Sequence, residues 1–164
     1  MTRVLFPGSF DPIHNGHMEI VETAARLFEE VIVAAVHNPQ KNPLFELGER
    51  QAMLEKCFAH LPNVRATMFA TLVVDLAKEE GVDFIVKGLR AVSDFENELQ
   101  MAQMNQAISG VHTLFIPSAS QHSFLASKLI RELARFGQEI ESMVPYPPTK
   151  HLSLIHISEP TRPY

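Results

Sequence analysis

Four short stretches of this chain combine residue types and spacings suited to handling phosphate. The first is Pro7-Gly8-Ser9-Phe10-Asp11-Pro12-Ile13-His14-Asn15-Gly16-His17. Gly8 lets a backbone approach an anion with no Cβ in the way, and Ser9 adds a hydroxyl and an N–H. His14 and His17 flank the expected start of a helix near Gly16, where free N–H groups and the helix dipole favour negative charge. The second stretch, Asn38-Pro39-Gln40-Lys41-Asn42-Pro43, presents Lys41 from a proline-stiffened loop. In the third, Lys87-Gly88-Leu89-Arg90, two cations flank a glycine in the manner of a phosphate clamp. The fourth runs from Gln121 to Arg131 and carries His122, Ser123, Ser127 and Lys128 at another expected helix start. Taken singly, each has a plain alternative: an exposed lysine is solvated, and Ser123 or Ser127 is a cap. A metal pair at His14 and His17 has no accompanying Cys or acidic ligand set.

The elements that would position these groups alternate in type. Short β-branched runs at Val4–Phe6, Val31–Val36, Val64–Phe69, Phe84–Val86 and Thr113–Ile116 read as strands. Val31–Val36 shows no polar alternation, as expected of a parallel strand covered on both faces. Met18, Val21, Ala25 and Phe28 fall at helical spacing, as do Leu47, Leu54 and Phe58, and later Phe95, Leu99 and Ala102. Ser123–Phe136 forms the last expected helix, stopped by Gly137, and Ser93 or Asp94 would cap the helix after the fourth strand. The pattern predicts a single-domain α/β fold: a Rossmann-like, doubly wound parallel sheet of five strands. In such sheets the loops after the strands share one rim, so the four phosphate-suited stretches would meet there.

A net charge of -5 argues against a dedicated nucleic-acid binder, although a basic site can sit on an acidic protein. The single cysteine, Cys57, lies in a helix-like segment with no partner base and points to a reducing, cytoplasmic setting. No signal peptide opens the chain, and no apolar run approaches membrane-spanning length. Residues 1–144 are expected to form the domain. Five of the 11 prolines fall after Val144, which disfavours a long helix in the tail 145–164. From about residue 152, Leu-Ser-Leu-Ile-His-Ile-Ser-Glu-Pro-Thr-Arg reads like a translated sequencing adaptor. On that reading His156 and Arg162 carry no function.

His14-Asn15-Gly16-His17 after a first strand resembles the (His or Thr)-x-Gly-His hallmark of the nucleotidyltransferase superfamily. Pro-Gly-Ser-Phe-Asp-Pro-Ile, Lys-Gly-Leu-Arg-Ala-Val-x-Asp-Phe-Glu and Leu99–Asn105 further resemble the phosphopantetheine adenylyltransferase family, over roughly residues 3–144. The resemblance implies transfer of AMP from ATP to 4'-phosphopantetheine, with Mg2+ held mainly by the ATP phosphates, in a homohexamer subject to feedback by coenzyme A. By the same resemblance Ser9, Lys41 and Lys87 would hold the phosphate of phosphopantetheine, and Leu72, Val73 and Asn105 would line its pantetheine pocket. Ser9, Phe10, His17, Gly88, Leu89, Arg90, Glu98 and the segment His122, Ser123, Phe124, Leu125, Ala126, Ser127 and Lys128 would hold ATP. His17, Lys41 and Arg90 would act on the transition state. The chain departs from the family at His14 (usually Thr), Lys87 (often Arg), Asn97 (often Tyr) and Leu125–Lys128 (usually Ile-Ser-Ser-Ser). Alternatives are another transferase of the superfamily, acting on nicotinamide mononucleotide or glycerol phosphate, and a nucleotide-binding module without turnover.

Overall fold

Aliphatic and β-branched runs form five parallel strands: β1 Arg3–Gly8, β2 Glu30–Val36, β3 Val64–Phe69, β4 Phe84–Leu89 and β5 His112–Pro117. The computed structural model describes residues 1–38, 42–90, 92–119 and 124–145, the side chains of 92–94 excepted. The sheet order is β3-β2-β1-β4-β5, and every pairing is parallel. The chain therefore winds outward from β1 in one direction, then returns to pair β4 against its other edge. Strands β1 and β2 are buried along their central residues without alternation, because both faces of the sheet are covered.

Among the described residues five helices cover it: α1 Asn15–Leu27, α2 Leu47–Phe58, α3 Val73–Glu80, α4 Val92–Ser109 and α5 Ser127–Arg135, with a 3-10 turn at Glu141–Met143. One core layer packs Val4, Phe6, Val31 and Val33 against Met18, Val21 and Ala24 of α1 and Leu54 and Phe58 of α2. Ala25 and Phe28 lie against it, half-buried, as their spacing predicts. A second layer packs Leu5, Ile32, Ala34 and Ile85 against Leu76 and Ala77 of α3. The third joins Phe45 and Met53 to Leu125, Ile130 and Ala134, fixing α5 beside α2. Burying a side chain of this size stabilises by about 1.5–3 kcal/mol.

Several boundaries differ from the sequence reading. β1 runs on to Gly8, and β4 to Leu89, so Gly8, Lys87 and Gly88 end strands rather than begin loops. Helix α3 was not anticipated: its eight residues open with Val73-Val74, a β-branched pair, and end at Gly81 with φ 63, a left-handed stop. Helix α4 already begins at Val92, so Ser93 and Asp94 fall inside its first turn rather than at its cap. Helix α5 starts at Ser127, not Ser123, because Ala126 is extended (φ -146, ψ 136). Phe95 and Leu99 of α4 remain 37% and 36% exposed, so the expected apolar stripe is only partly covered. Of the tail, only Pro145 falls within the described residues.

At the amino ends of the strands, an ion-pair chain ties the sheet to α3. Glu30 accepts from Arg3 Nε and Arg65 Nε, both at 3.0 Å, while Arg65 also pairs with Glu80. Arg3 Nη1 donates to the Glu80 carbonyl at 2.8 Å. Burial alone would raise the Glu30 carboxyl, but the bonds from Arg65 and then Arg3 outweigh it and hold it below its usual value of 4.5. A depressed carboxylate stabilises the fold above its unfolded value, and that stabilisation is lost as pH falls through the folded value. Thermal melts between about pH 7 and about pH 3 should therefore show a smaller acid-induced decline in Glu30→Gln than in the unaltered chain. An identical decline would show that the network does not contribute.

Candidate active site

The carboxyl ends of β1 and β4 are adjacent, and a cleft of about 420 Å³ opens over them. Its lining includes Ser9, Phe10 and His17 from the first crossover, Lys87, Gly88 and Arg90 from the end of β4, and Glu98 of α4. Ala126, Ser127 and Lys128 close it from the start of α5. These residues are far apart in sequence. The reversal of winding between β1 and β4 brings them together, as open α/β sheets generally do at their ligand crevice.

His14 and His17 cap α1 reciprocally. The His14 Nδ1 accepts the His17 N–H at 3.3 Å, and the His17 Nδ1 accepts the His14 N–H at 3.1 Å. Their rings stack at 3.6 Å between centroids and 19° between planes, and the Phe10 ring stands edge-on to His17 at 4.9 Å. His14, only 3% exposed, is thus the N-cap of the helix. Burial first, then His14, Arg90 and Lys87, pull His17 well below its ordinary value of 6.5, so the ring is neutral at neutral pH. With Nδ1 engaged as an acceptor, the proton sits on Nε2. His17 therefore offers the cleft a hydrogen-bond donor with no charge of its own.

Cations supply the charge. Lys87 Nζ lies 3.7 Å from the Glu98 carboxylate, and both side chains are about a third exposed (29% and 32%). Arg90 Nη1 donates to the Leu125 carbonyl at 2.6 Å, tying the end of β4 to the approach to α5. The N-cap of α5, Ala126, has no side chain able to cap, which leaves that helix start suited to an anion. Ser127 Oγ donates to the Pro12 carbonyl at 2.9 Å, locking this start against the first crossover. A Cβ on Gly88 would stand 3.1 Å from Ile20 of α1, so a side chain there would require the isoleucine to shift.

Other sequence-selected residues lie elsewhere. Lys41, His122 and Ser123 fall outside the described residues. Leu125 is 2% exposed in the core, so only its backbone is available near the cleft. Leu89 ends β4, its carbonyl accepting from Ser118, and Phe124 is 60% exposed; neither lines the cleft. Leu72 and Val73 begin α3, and half-buried Asn105 lies on α4, which packs beside it. The cleft also gains Arg131, which the sequence reading did not assign. It sits one helical turn after Ser127, on the same face, and that spacing is its legible signal. Asp11 and Arg50, both buried, carry no local signal at all.

Lowering of the His17 value has a measurable consequence. Unfolded chains take up a proton near the ordinary 6.5, whereas the folded ring does not, so stability falls as pH drops through that window. His17→Asn should lose less stability than the unaltered chain over the same range. A His17 imidazole that titrates at 6.5 by NMR would contradict the burial argument.

The cytidylyltransferase-like family matches residues 5–133. The phosphopantetheine adenylyltransferase of Alkaliphilus oremlandii is 47% identical over 146 residues, covering 88% of this chain and 93% of its own. That of Streptomyces coelicolor is 50% identical over 145 residues, covering 88% and 91%. Among solved structures, a bifunctional NMN adenylyltransferase/ADP ribose pyrophosphatase from Francisella tularensis superposes with a TM-score of 0.70 at 15% identity, covering 98% of this chain and 50% of the other. At that identity the likeness speaks for the fold, and the fold is the Rossmann-like one expected. Sequence identity of nearly half over nearly the whole domain decides the rest: the chain is a nucleotidyltransferase belonging to the phosphopantetheine adenylyltransferase family.

Proposed function

We propose that this protein transfers AMP from ATP to 4'-phosphopantetheine, giving dephospho-coenzyme A and pyrophosphate in coenzyme A biosynthesis. The observation that carries the reading is the convergence of Ser9, Lys87, Arg90, Lys128 and a neutral, donor-bearing His17 on one cleft. A phosphate oxygen of the acceptor attacks the α-phosphorus of ATP in line. The bond from that phosphorus to the bridging oxygen breaks, and pyrophosphate leaves. The nucleophile is already an anion at neutral pH, so no protein nucleophile or strong base is required. The residues contribute position and charge. His17 Nε2–H and Arg90 meet the charge that develops on the transferring group, while Ser9, Lys87 and Lys41 hold the acceptor phosphate.

Mg2+ would enter with the nucleotide, held by its phosphates. Among the described residues no three His, Cys, Asp or Glu groups converge to hold an ion. The carboxylate that lines the cleft, Glu98, faces Lys87. When bound, the ion would supply further charge neutralisation, while Lys87, Arg90 and Lys128 grip the phosphates. We place the reaction in the cytoplasm, in keeping with the single, buried cysteine Cys57, and we assign the cleft to feedback by coenzyme A as well. Among the described residues no helix is long and apolar enough to cross a membrane.

A contact between copies, as a homohexamer would need, is supported by α4, whose Met101, Met104 and Ile108 are 59%, 58% and 61% exposed. Contiguous apolar surface of this kind is characteristic of protein contacts. Met104→Glu should reduce the sedimenting mass; an unchanged mass would remove α4 from the interface.

Pyrophosphate release with ATP plus phosphopantetheine, ATP plus nicotinamide mononucleotide, and ATP alone tests the activity. Release is expected only with phosphopantetheine, and His17→Ala should lower the rate by about 10²–10³-fold. Tight ATP binding with no release under any condition would instead indicate a binding module. Near-normal turnover of His17→Ala would remove that residue from its role.

A further inference from the structure

Behind the first crossover sits a charged side chain that the chemistry above leaves unused. Arg50, in the first turn of α2, is only 3% exposed. It faces a smaller cavity of about 100 Å³ that it shares with Ser9, Asp11 and Val36. Its Nη1 donates to two carbonyls, that of Ser9 at 2.7 Å and that of Val36 at 3.0 Å. Its Nε has no partner among the described residues. Burial lowers the guanidinium from its ordinary value, against the pull of Asp11 and Glu46. A methionine would fill similar space without burying a charge, and such exchanges are often neutral or stabilising. Packing alone therefore does not explain an arginine here.

Two geometric consequences do. The Ser9–Phe10 peptide is trans, so its N–H points opposite to the carbonyl that Arg50 grips. Ser9 lines both the cleft and the small cavity that Arg50 shares, so the grip on its carbonyl fixes the plane of the Ser9–Phe10 peptide at the edge of the cleft. Phe10 holds this pose at φ 48, a left-handed conformation that a phenylalanine seldom adopts unaided. The second consequence concerns the chain between β2 and α2, which includes Lys41. Its start, Val36, is bonded to Arg50. Its end is bonded to Asp11, whose two carboxylate oxygens accept the N–H groups of Leu44 and Phe45, each at 2.8 Å. Asp11 follows Ser9 by two residues, so both ends of this segment are fastened to the same turn.

We infer that Arg50 is a positioning residue for nucleotidyl transfer. It orients the Ser9–Phe10 peptide and, with Asp11, fastens Val36 at the end of β2 and Leu44 and Phe45 before α2 to the same turn, so that these pieces move as one unit. The inference rests on the proposed function for its kinetic arm, and on geometry alone for its structural arm.

Arg50→Lys and Arg50→Met in the full chain test it. Lysine keeps the charge, but its ammonium ends one atom short of the Nη1 that reaches both carbonyls. Both variants should lose about 10²-fold in kcat, the scale expected of a misplaced contact. Amide hydrogen exchange gives the second readout: residues 8–11 and 42–45 should exchange faster together, with β1 amides at 4–6 unchanged. If Arg50→Met does not fold, Arg50→Lys carries both measurements. Normal kcat in Arg50→Lys, or loosening of one segment without the other, overturns the inference. If the unaltered chain releases no pyrophosphate with phosphopantetheine, the proposed function falls instead, and the exchange experiment still decides the role of Arg50.

Discussion

One constraint organises this molecule: β1 is flanked by β2 on one side and β4 on the other, and the chain leaves it in opposite directions. Loops at the carboxyl ends of neighbouring strands normally cover one another. Where the winding reverses they part, and the gap becomes a crevice floored by backbone. In this chain the crevice is walled by the helix that follows β1 and the strand end that carries Lys87 and Arg90. The glycines at the ends of both strands keep the floor low. A Cβ on Gly8 would press on the Phe10 ring at 3.1 Å, and one on Gly88 would press on Ile20.

A second principle follows from charge. The cleft collects cations, yet the imidazole at its centre is kept neutral by burial and by those same cations. A polyanionic substrate thus meets two kinds of help. Lysines and arginines would attract it, and a neutral N–H would offer a hydrogen bond without adding to the repulsion among the cations. The paired caps at His14 and His17 fix the tautomer that makes this possible.

Much of this was legible in the residues, and the exceptions have physical causes. The unalternating Val31–Val36 gave the buried parallel strand, and the strand–helix rhythm gave the five-stranded sheet. Strand ends were harder, because a glycine or lysine closing β1 or β4 has the composition of a loop. Helix α3 leaves little signal in the sequence, since its first turn is β-branched and its stabilisation comes from packing on Ile32 and Ile85. In the cleft, His17, Lys87 and Arg90 announce themselves through spacing. Asp11 and Arg50 cannot, because their partners at Leu44, Phe45, Ser9 and Val36 are set by tertiary contact and no periodicity encodes them.

The ion-pair chain of Arg3, Glu30, Arg65 and Glu80 occupies the amino ends of the strands, at the pole of the sheet opposite the cleft. Strengthening or dissolving that chain alters how firmly the sheet is tied to α3 while leaving the charges over β1 and β4 untouched. Adaptation to a hotter, colder, saltier or more acidic habitat can thus proceed at one pole while selection on turnover proceeds at the other. The two kinds of change need not compete for the same residues.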